Sequence, residues 1–580
     1  MAAIKFKNAL GVERQQEEGF GGIDRTAELK NGSSCQYAEN LDVAPDCSLS
    51  TRAGYELKHR LGGELRAVFY SADKIYALAG KEFICIDTET DELLKLAEIE
   101  TETGESDIFC YNGEIYLHDG KTLYRYDGTV LGEVDGYAPV YGRNWHQTDR
   151  GAIEEYPNLI SKKIRLTFIT SSNLGGFNVG LKIASIDRVE INGTERELSE
   201  ASMSIDPDDP TKIKSMLFSA GVAVAFWLTL ADDALQKYSI ARRTKGFVFG
   251  GDGGERLCLY NPDISGHLLC SRPITQEAHE SSKRGNPNAL PLYIPETSAV
   301  CVGSGAYPIT GMAQHYDRAL LFTGSDTWCV DWEGDEANAE RISPKIFLLN
   351  SAIGSDGTNG VAYYDNDPLT YYCGGLWRWH SQSGSRDECS ATLISDQVAD
   401  LLPKESEYIS MLSIPQRERL YIADTDDERG RVLVYNTSGK TYTVYSEIYA
   451  DKLLRYGNDL AFVRDRELYV LSSALSSDFE SDEVISLKST VISHFLDFSC
   501  PERKKRSVEM ILRADLAGGG ATVTFENELG EKRSFTLNGK SGGGKEDFVH
   551  RFALPRFRRL RYTLESTGAV KYCGIILSAK

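Results

Sequence analysis

Two stretches of this chain, about forty residues apart, spell the same order of strands and turns, and that repetition limits the fold more than any other feature. In the first, Ala67–Tyr70, Lys74–Leu78, Glu82–Asp87 and Leu93–Ile99 are short β-rich runs. In the second, the runs are Asp107–Tyr111, Glu114–Leu117, Thr122–Tyr126 and Val130–Glu133. Ile75-Tyr76-Ala77-Leu78 and Ile115-Tyr116-Leu117 hold equivalent places. Asp119-Gly120 and Asp127-Gly128 punctuate the second set. Such dipeptides favour φ > 0 at both central residues and so match the twist of a two-stranded hairpin. Four short strands at this period are the signature of a propeller blade, which cannot bury both faces alone and is useful only when it recurs.

The pattern recurs. Gly246–Tyr260, Pro308–Trp332, Ser351–Trp379, Tyr408–Tyr445 and Leu453–Leu471 carry the same alternation of strand and turn. The fold class expected is therefore all-β, a β-propeller of about seven blades. Two segments fall outside the rhythm. Residues 137–243 hold longer strand candidates, Ile164–Thr170, Ser185–Ile191 and Met216–Leu230, and read as an inserted β-domain. Residues 485–580 hold six or seven strand candidates between glycine-rich loops and read as a C-terminal β-sandwich. The division is then an N-terminal arm at 1–36, first blades at 37–136, the insertion at 137–243, remaining blades at 244–484 and the sandwich at 485–580.

Thirty tyrosines and 53 glycines suit strands and turns. The formal charge of −21 argues against a surface that wraps nucleic acid, which needs basic patches to release counterions. Twelve cysteines are scattered without a Cys-x-x-Cys pair, so no zinc site is expected and the thiols read as reduced and mostly buried. Met1–Glu18 has no signal-peptide core. Met216–Leu230 is shorter than the roughly 20 residues a spanning helix needs and reads as a buried hairpin, so no membrane partner is expected.

Three runs carry a resemblance. The first joins Gly21-Gly22-Ile23-Asp24, Glu39-Asn40-Leu41-Asp42 and Leu49-Ser50-Thr51-Arg52-Ala53-Gly54-Tyr55. The second joins Pro308–Met312 to Arg318–Gly324, and the third Asn350–Ser355 to Gly374–Trp379. In these runs and in module order the chain resembles the β-propeller tail nozzle and tail-stabilisation proteins of tailed bacteriophages, with Ala53 where that group usually has proline. The resemblance implies a non-enzymatic structural protein of the virion tail, assembled in the cytoplasm of the bacterial host. It implies a homohexameric ring below the portal and adaptor, with genomic DNA passing through the lumen without sequence recognition. The insertion at 137–243 is then the candidate for the channel-lining or distal part. The alternative is a propeller-type receptor- or glycan-binding protein of the tail tip.

No catalytic, cofactor-binding or metal residue is assigned, and each motif that invites one has a plainer reading. Gly539–Glu546 matches the first part of a P-loop, but Glu546 stands where Ser or Thr must reach magnesium. Gly539-Lys540-Ser541-Gly542-Gly543 matches a nucleophile elbow in letters but leads into no helix. Tyr435–Tyr442 echoes the Asp-box turn of sialidase-like propellers and reads as a Ser-Gly hairpin. Asp206–Asp209 and Asp424–Glu428 lack calcium-loop spacing and read as solvated turns. Trp377 and Trp379, with Tyr371, Tyr372 and His380, form either a sugar-stacking patch or a packing pair, one ring in the core and one at an interface. Arg556, Arg558, Arg559 and Arg561 suit an acidic partner subunit better than a phosphate backbone. The sequons at Asn31, Asn192 and Asn436 carry no argument without a secretory signal.

Overall fold

The computed structural model describes residues 4–7, 13–17, 19–26, 33–134, 136–172, 174–234, 243–249, 255–264, 266–273, 292–316, 318–331, 345–381, 389–403, 409–480, 483–517, 519–540 and 543–580. Among them there is no α-helix. The chain is all-β, with strands joined by turns and a few short 3₁₀ segments.

Among the described residues seven antiparallel sets of four strands carry the repeat; five are whole sheets, and the last two, F and G, are parts of larger sheets. Sheet A is Leu65–Ser71, Lys74–Ala79, Glu82–Asp87 and Glu92–Glu98, each strand paired with the next. Sheet B is Asp107–Tyr111, Glu114–His118, Leu123–Tyr126 and Leu131–Glu133. Sheet C runs from Lys245–Phe249 to Ala299–Cys301, sheet D from Ile309–His315 to Lys345–Asn350, sheet E from Val361–Tyr364 to Cys389–Leu393, and sheet F from Ile409–Ile414 to Thr441–Tyr445. Sheet G has only three consecutive strands, Lys452–Tyr456, Asp459–Arg464 and Glu467–Ser472. Its fourth comes from far upstream: Gly54–Arg60 pairs antiparallel with Glu467–Ser472.

The first strands of these sheets lie against one another. That of B touches those of A and C, that of E touches those of D and F, and that of G touches those of F and A. Sheets C and D share a core of Cys258, Leu268, Met312, Leu321 and Val330. Each strand alternates its apolar residues toward such a seam. In sheet A, Ile75 and Ala77 face a core shared with sheet G, while Leu78 faces one shared with sheet B. Burying each large apolar side chain contributes roughly 1.5–3 kcal/mol, so the seams, not the single sheets, hold the array together.

The two Asp-Gly dipeptides that signal hairpins in the sequence make a different turn. Only Gly120 (φ +93°) and Gly128 (φ +96°) are left-handed. The aspartates fold the chain through their side chains. Asp119 Oδ1 accepts the N–H groups of Lys121 (2.8 Å) and Thr122 (2.7 Å), and Asp127 Oδ1 accepts those of Thr129 and Val130 (both 2.9 Å). Two-residue turns with both φ values positive occur instead at Asn112-Gly113 (53° and 75°) and Asn192-Gly193 (51° and 77°).

Between sheets B and C lies a module of two sheets. One holds Val140–His146, Lys163–Ile169, Ala223–Leu230, Ile183–Ile191 and Thr194–Arg196. The other holds Gly175–Asn178, Lys212–Leu217 and Ser204–Ile205. Val224, Phe226, Leu228 and Leu230 point into the space between them, where Phe226 meets Phe168 and Phe177 at 6.0 and 5.1 Å between ring centroids. Met216–Leu230 is therefore not a hairpin: its two strands belong to facing sheets, and Gly221 (φ +81°) turns the chain between them.

The C-terminal module also has two sheets around one core, which includes Met510, Leu512, Val523, Phe525, Tyr562, Leu564 and Leu577. Its strands are Lys488–Ser493, Lys505–Asp515, Gly520–Asn527, Lys532–Asn538, Glu546–Phe557, Leu560–Thr567 and Lys571–Ala579. The N-terminal strands complete it. Ile4–Lys7 and Glu13–Glu17 extend the sheet beside Lys571–Ala579, and Leu49–Thr51 pairs with the same strand. Cys35–Glu39 pairs with Lys488–Ser493 and also bridges sheet F through Glu39 and Val444. Residues 37–51, which the sequence rhythm groups with the first blades, thus pair with the C-terminal module and sheet F, because their strand partners lie at the other end of the chain. All twelve cysteines are free thiols; Cys35, Cys85, Cys258, Cys270 and Cys329 are buried, while Cys301 and Cys373 are exposed.

Candidate functional site

A dense polar constellation sits where sheets F and G meet the C-terminal module. The N-terminal run Gly21–Tyr55 builds it. Gly22 lies so close to the strand 441–445 that a Cβ there would be 2.6 Å from the Tyr442 carbonyl, and the next residue, Ile23, donates its N–H to that carbonyl at 2.8 Å. Asn40 is left-handed (φ 55°), which asparagine tolerates. Its Nδ2 donates to Ser446 Oγ (2.9 Å) and the Lys488 carbonyl (2.8 Å). Its Oδ1 accepts from Arg52 Nε and from the Ser446 N–H, both at 2.9 Å.

Arg52 is the centre. Its guanidinium meets both carboxylate oxygens of Asp478 at 2.9 and 2.7 Å, and both side chains are fully buried, at 0% exposure. The remaining donors reach the carbonyls of Ala53 (2.8 Å) and Ser446 (3.2 Å). Asp478 also accepts the Tyr55 N–H at 3.1 Å. The guanidinium lies near the rings of Tyr55 and Tyr445, at 5.8 and 5.7 Å from their centroids. The Tyr445 hydroxyl donates to Asp42 Oδ1 at 2.7 Å; burial, with the Asp42 carboxylate beside it, pushes that phenol well above its usual range. A cavity of about 510 Å³ adjoins the cluster, lined by Asp42, Arg52, Arg417, Arg419, Tyr421, Tyr445 and Asp459 among others. Arg52 spends its donors on Asn40, Asp478 and two carbonyls, so the cluster fastens one element to another.

A second charged group gathers at the first strands of the array. Lys452 opens the first strand of sheet G, Lys245 that of sheet C and Asp107 that of sheet B. Asp107 Oδ2 accepts the Gly246 N–H at 3.0 Å, Lys245 donates to the Ser106 carbonyl at 3.2 Å, and Ser410 Oγ accepts the Leu453 N–H at 3.1 Å. Burial, with the Lys245 ammonium near it, pushes Lys452 down to about 8 against the pull of Asp107 and Glu105.

The carboxylates Asp400, Asp424, Asp426 and Asp427 share a second cavity, of about 330 Å³, over Leu401, Leu402, Pro403, Ile422, Leu433 and Val444. Burial, helped by the neighbouring Asp427 and Asp426, raises Asp424. Burial also works to raise Asp427, but the Arg431 guanidinium, 2.5 Å away, overrides it and holds that carboxyl low. Asp206 and Asp209 are turn residues held by Lys214 and Lys212, both at 2.9 Å. Among the described residues no three His, Cys, Asp or Glu side chains are placed to hold a metal ion.

The remaining motifs resolve simply. The 539–546 stretch joins strand 532–538 of one sheet to strand 546–557 of the other; Ser541 and Gly542 lie outside the described residues. Asn436 turns its own hairpin, accepting from Ser438 Oγ and the Gly439 N–H, both at 3.0 Å. Trp379 is fully buried against Phe322 and donates to Thr370 Oγ1 at 2.9 Å, while Trp377 is half-buried. Tyr371 is buried and its hydroxyl donates to the Pro403 carbonyl, so the aromatic group is a packing cluster between sheets. Asn192 occupies its hairpin turn, and Asn31 lies outside the described residues. Arg561 pairs with Glu526 at 2.8 Å, whereas Arg556, Arg558 and Arg559 are exposed. Sequence reasoning singled out Asn40, Arg52 and Lys505 only as parts of runs, and missed Asp478 and Lys452 altogether. Their partners are distant in the chain, and no local pattern announces them.

No protein-family model matches the chain, and no curated protein matches it. Among solved structures it is similar to a chain of the Mitotic Checkpoint Complex at 11% identity, over 71% of this chain and 90% of that one, with a TM-score of 0.33. It is also similar to an exo-β-1,3-galactanase from Phanerochaete chrysosporium at 10% identity, over 58% of this chain and 82% of that one, with a TM-score of 0.18. The strand pairings, and not these likenesses, define the architecture.

Proposed function

We propose that the chain is a structural protein of a bacteriophage tail: a ring-forming nozzle or tail-stabilisation protein that closes or extends the DNA channel below the portal and adaptor. In this reading sheets A to G are the seven blades of a propeller, and Gly54–Arg60 is the strand that closes it by completing sheet G. Residues 137–243 are an inserted β-domain, and the two-sheet C-terminal module is a β-sandwich. The protein is non-enzymatic, acts as a homo-oligomer in the virion tail, and passes DNA without reading it.

The observation that carries this reading is the convergence of the first recognised run. Gly22, Asn40 and Arg52, the residues through which the N-terminus resembles tail proteins, all sit at the junction of the array with the C-terminal module. The resemblance thus falls on residues that fix how modules are joined, as expected of a protein whose work is to hold a shape. The net charge of −21 is compatible with a lumen along which DNA slides instead of sticking.

The test is light scattering on the purified chain after size exclusion, with negative-stain images of the same peak. Closed rings of several copies are expected. A single-copy particle that releases reducing ends from a host polysaccharide overturns the reading.

A further inference from the structure

Arg503, Lys504, Lys505 and Arg506 follow one another in the chain, and with the arginines near residue 558 they belong to one surface, which Lys505 pins. Lys505 is buried. Its ammonium donates to the carbonyls of Asp497 and Cys500 (both 2.9 Å), Arg558 (3.1 Å) and Arg503 (3.3 Å), and it lies 5.5 Å from the Phe498 ring centroid. Lys505 is also the cross-strand neighbour of Phe557, and the Arg506 N–H donates to the Lys580 carbonyl at 2.7 Å. Two chain segments are thereby tied side by side.

The cations flanking those ties, Lys504, Arg506, Arg556, Arg558 and Arg559, are all exposed. None of the five makes an ion pair among the described residues, whereas nearby Arg561 is paired with Glu526. The Glu528 carboxylate accepts the backbone N–H groups of Arg558 (2.7 Å) and Arg559 (3.0 Å), not their guanidinium groups. A rigid rim of unpaired positive charge thus stands on a chain of net charge −21.

We infer that this rim docks, head to tail, on the acidic surface of a second copy of the chain. Two bodies of this charge repel one another wherever acid meets acid, and the rim is where that repulsion reverses. The backbone beneath it is already fixed by Lys505, so docking orders side chains only. The interface joins unlike surfaces, and repetition of such a contact closes a ring or extends a filament. The inference rests on the self-assembling reading above and names the surface that drives it.

The test is light scattering at low and at high salt on the full chain, on the reversal R556E/R558E/R559E and on the neutral R556Q/R558Q/R559Q. A control reverses Arg188, Lys212 and Lys214 in the inserted module. Thermal melts check that each variant folds. The wild type and the control are expected to associate at low salt, and to loosen at least about tenfold as the Debye length falls below roughly 10 Å. The reversal is expected to stay monomeric, with the neutral variant between. A reversal variant that associates like the wild type overturns the inference and leaves the ring reading standing on another face. A wild type monomeric at low salt overturns it as well. So does rim-dependent binding of a short DNA duplex in preference to self-association, which makes nucleic acid the partner.

Discussion

Arg52–Asp478 and Arg513–Asp547 are the same chemistry in two places. Each guanidinium meets its carboxylate through two nitrogens, at 2.7–2.9 Å in the first pair and 2.8–3.1 Å in the second. The first pair is wholly buried, while the side chains of the second are 61% and 44% exposed. Arg52 and Asp478 are separated by 426 positions; Asp478 lies in Ser477–Glu480, which pairs parallel with Gly54–Arg60 beside sheet G, and Arg52 precedes that strand. Arg513 and Asp547 lie opposite one another on adjacent strands of a single sheet, whose pairing is already fixed by the backbone. The difference teaches that an ion pair's consequence follows from what its removal leaves behind. In the first place it leaves a buried charge, and in the second a hydrated one.

Asp478→Ala is expected to cost the most. It strands the Arg52 guanidinium away from water and removes the acceptor of the Tyr55 N–H. A loss of about 3–5 kcal/mol in the unfolding transition of this junction is expected by denaturant titration. The double variant R52M/D478L removes both charges and is expected to recover most of that loss. If the double variant is as unstable as the single one, the hub acts through its neutral hydrogen bonds to Asn40 and Ser446 and not through charge. Next in size is Lys505→Met. It leaves up to four carbonyls without their shared donor, and about 1–3 kcal/mol is expected to be lost for the group left unsatisfied. Hydrogen exchange at residues 497–505 and 556–560 is expected to speed up there first.

Lys452 supplies a pH test of intermediate size. Its ammonium is held down at about 8 in the fold, while an unfolded lysine titrates near roughly 10.4. Between these values the unfolded chain binds the proton that the folded chain has released, so stability rises with pH across that window. Below about 8 both states are protonated, and the cost of this half-buried charge is present in full. Lys452→Met removes the group and is expected to gain stability at neutral pH and to flatten the rise. The comparison is made below the onset of tyrosine ionisation, near pH 10, because buried phenols such as Tyr421 and Tyr445, raised by burial, work in the opposite direction above it. Parallel pH profiles for wild type and variant place the ammonium in water and remove it from the inner cluster.

Sheets A and B were legible almost strand for strand, because each pairs only with its chain neighbour and the alternation of apolar residues shows on its face. The turns were legible in position but not in type. An aspartate and a glycine can make a hairpin through the backbone or through the carboxylate, and at Asp119 and Asp127 the carboxylate does it. Met216–Leu230 misled because apolar alternation does not say which sheet a strand joins. The junction could not be read at all. Leu49–Thr51 pairs with a strand near residue 571, and no periodicity links residues that far apart. Asp478 sits in a run of serines that looks like solvent-exposed loop, yet it is fully buried. Lys505 reads as one more charge in a basic run, and only the four carbonyls around it reveal a packing role.

The smallest expected effect closes the comparison. Arg513→Ala removes the exposed partner of Asp547, which held that carboxyl below its usual range through a hydrogen bond to the guanidinium. Asp547 returns to water without penalty, and the strands 505–515 and 546–557 keep their backbone register. No change in the unfolding midpoint is expected at physiological salt. A slight loss is expected at low salt, where screening is weakest. The carboxylate's depressed pKa stabilises the fold above the unfolded value and is lost as pH falls through the folded one, so any effect vanishes in acid. A double-mutant cycle over Arg513 and Asp547, run beside one over Arg52 and Asp478, measures the two couplings in one protein. If the exposed pair couples as strongly as the buried one, burial is not what separates them, and the argument for the hub as the junction's fastening falls with it.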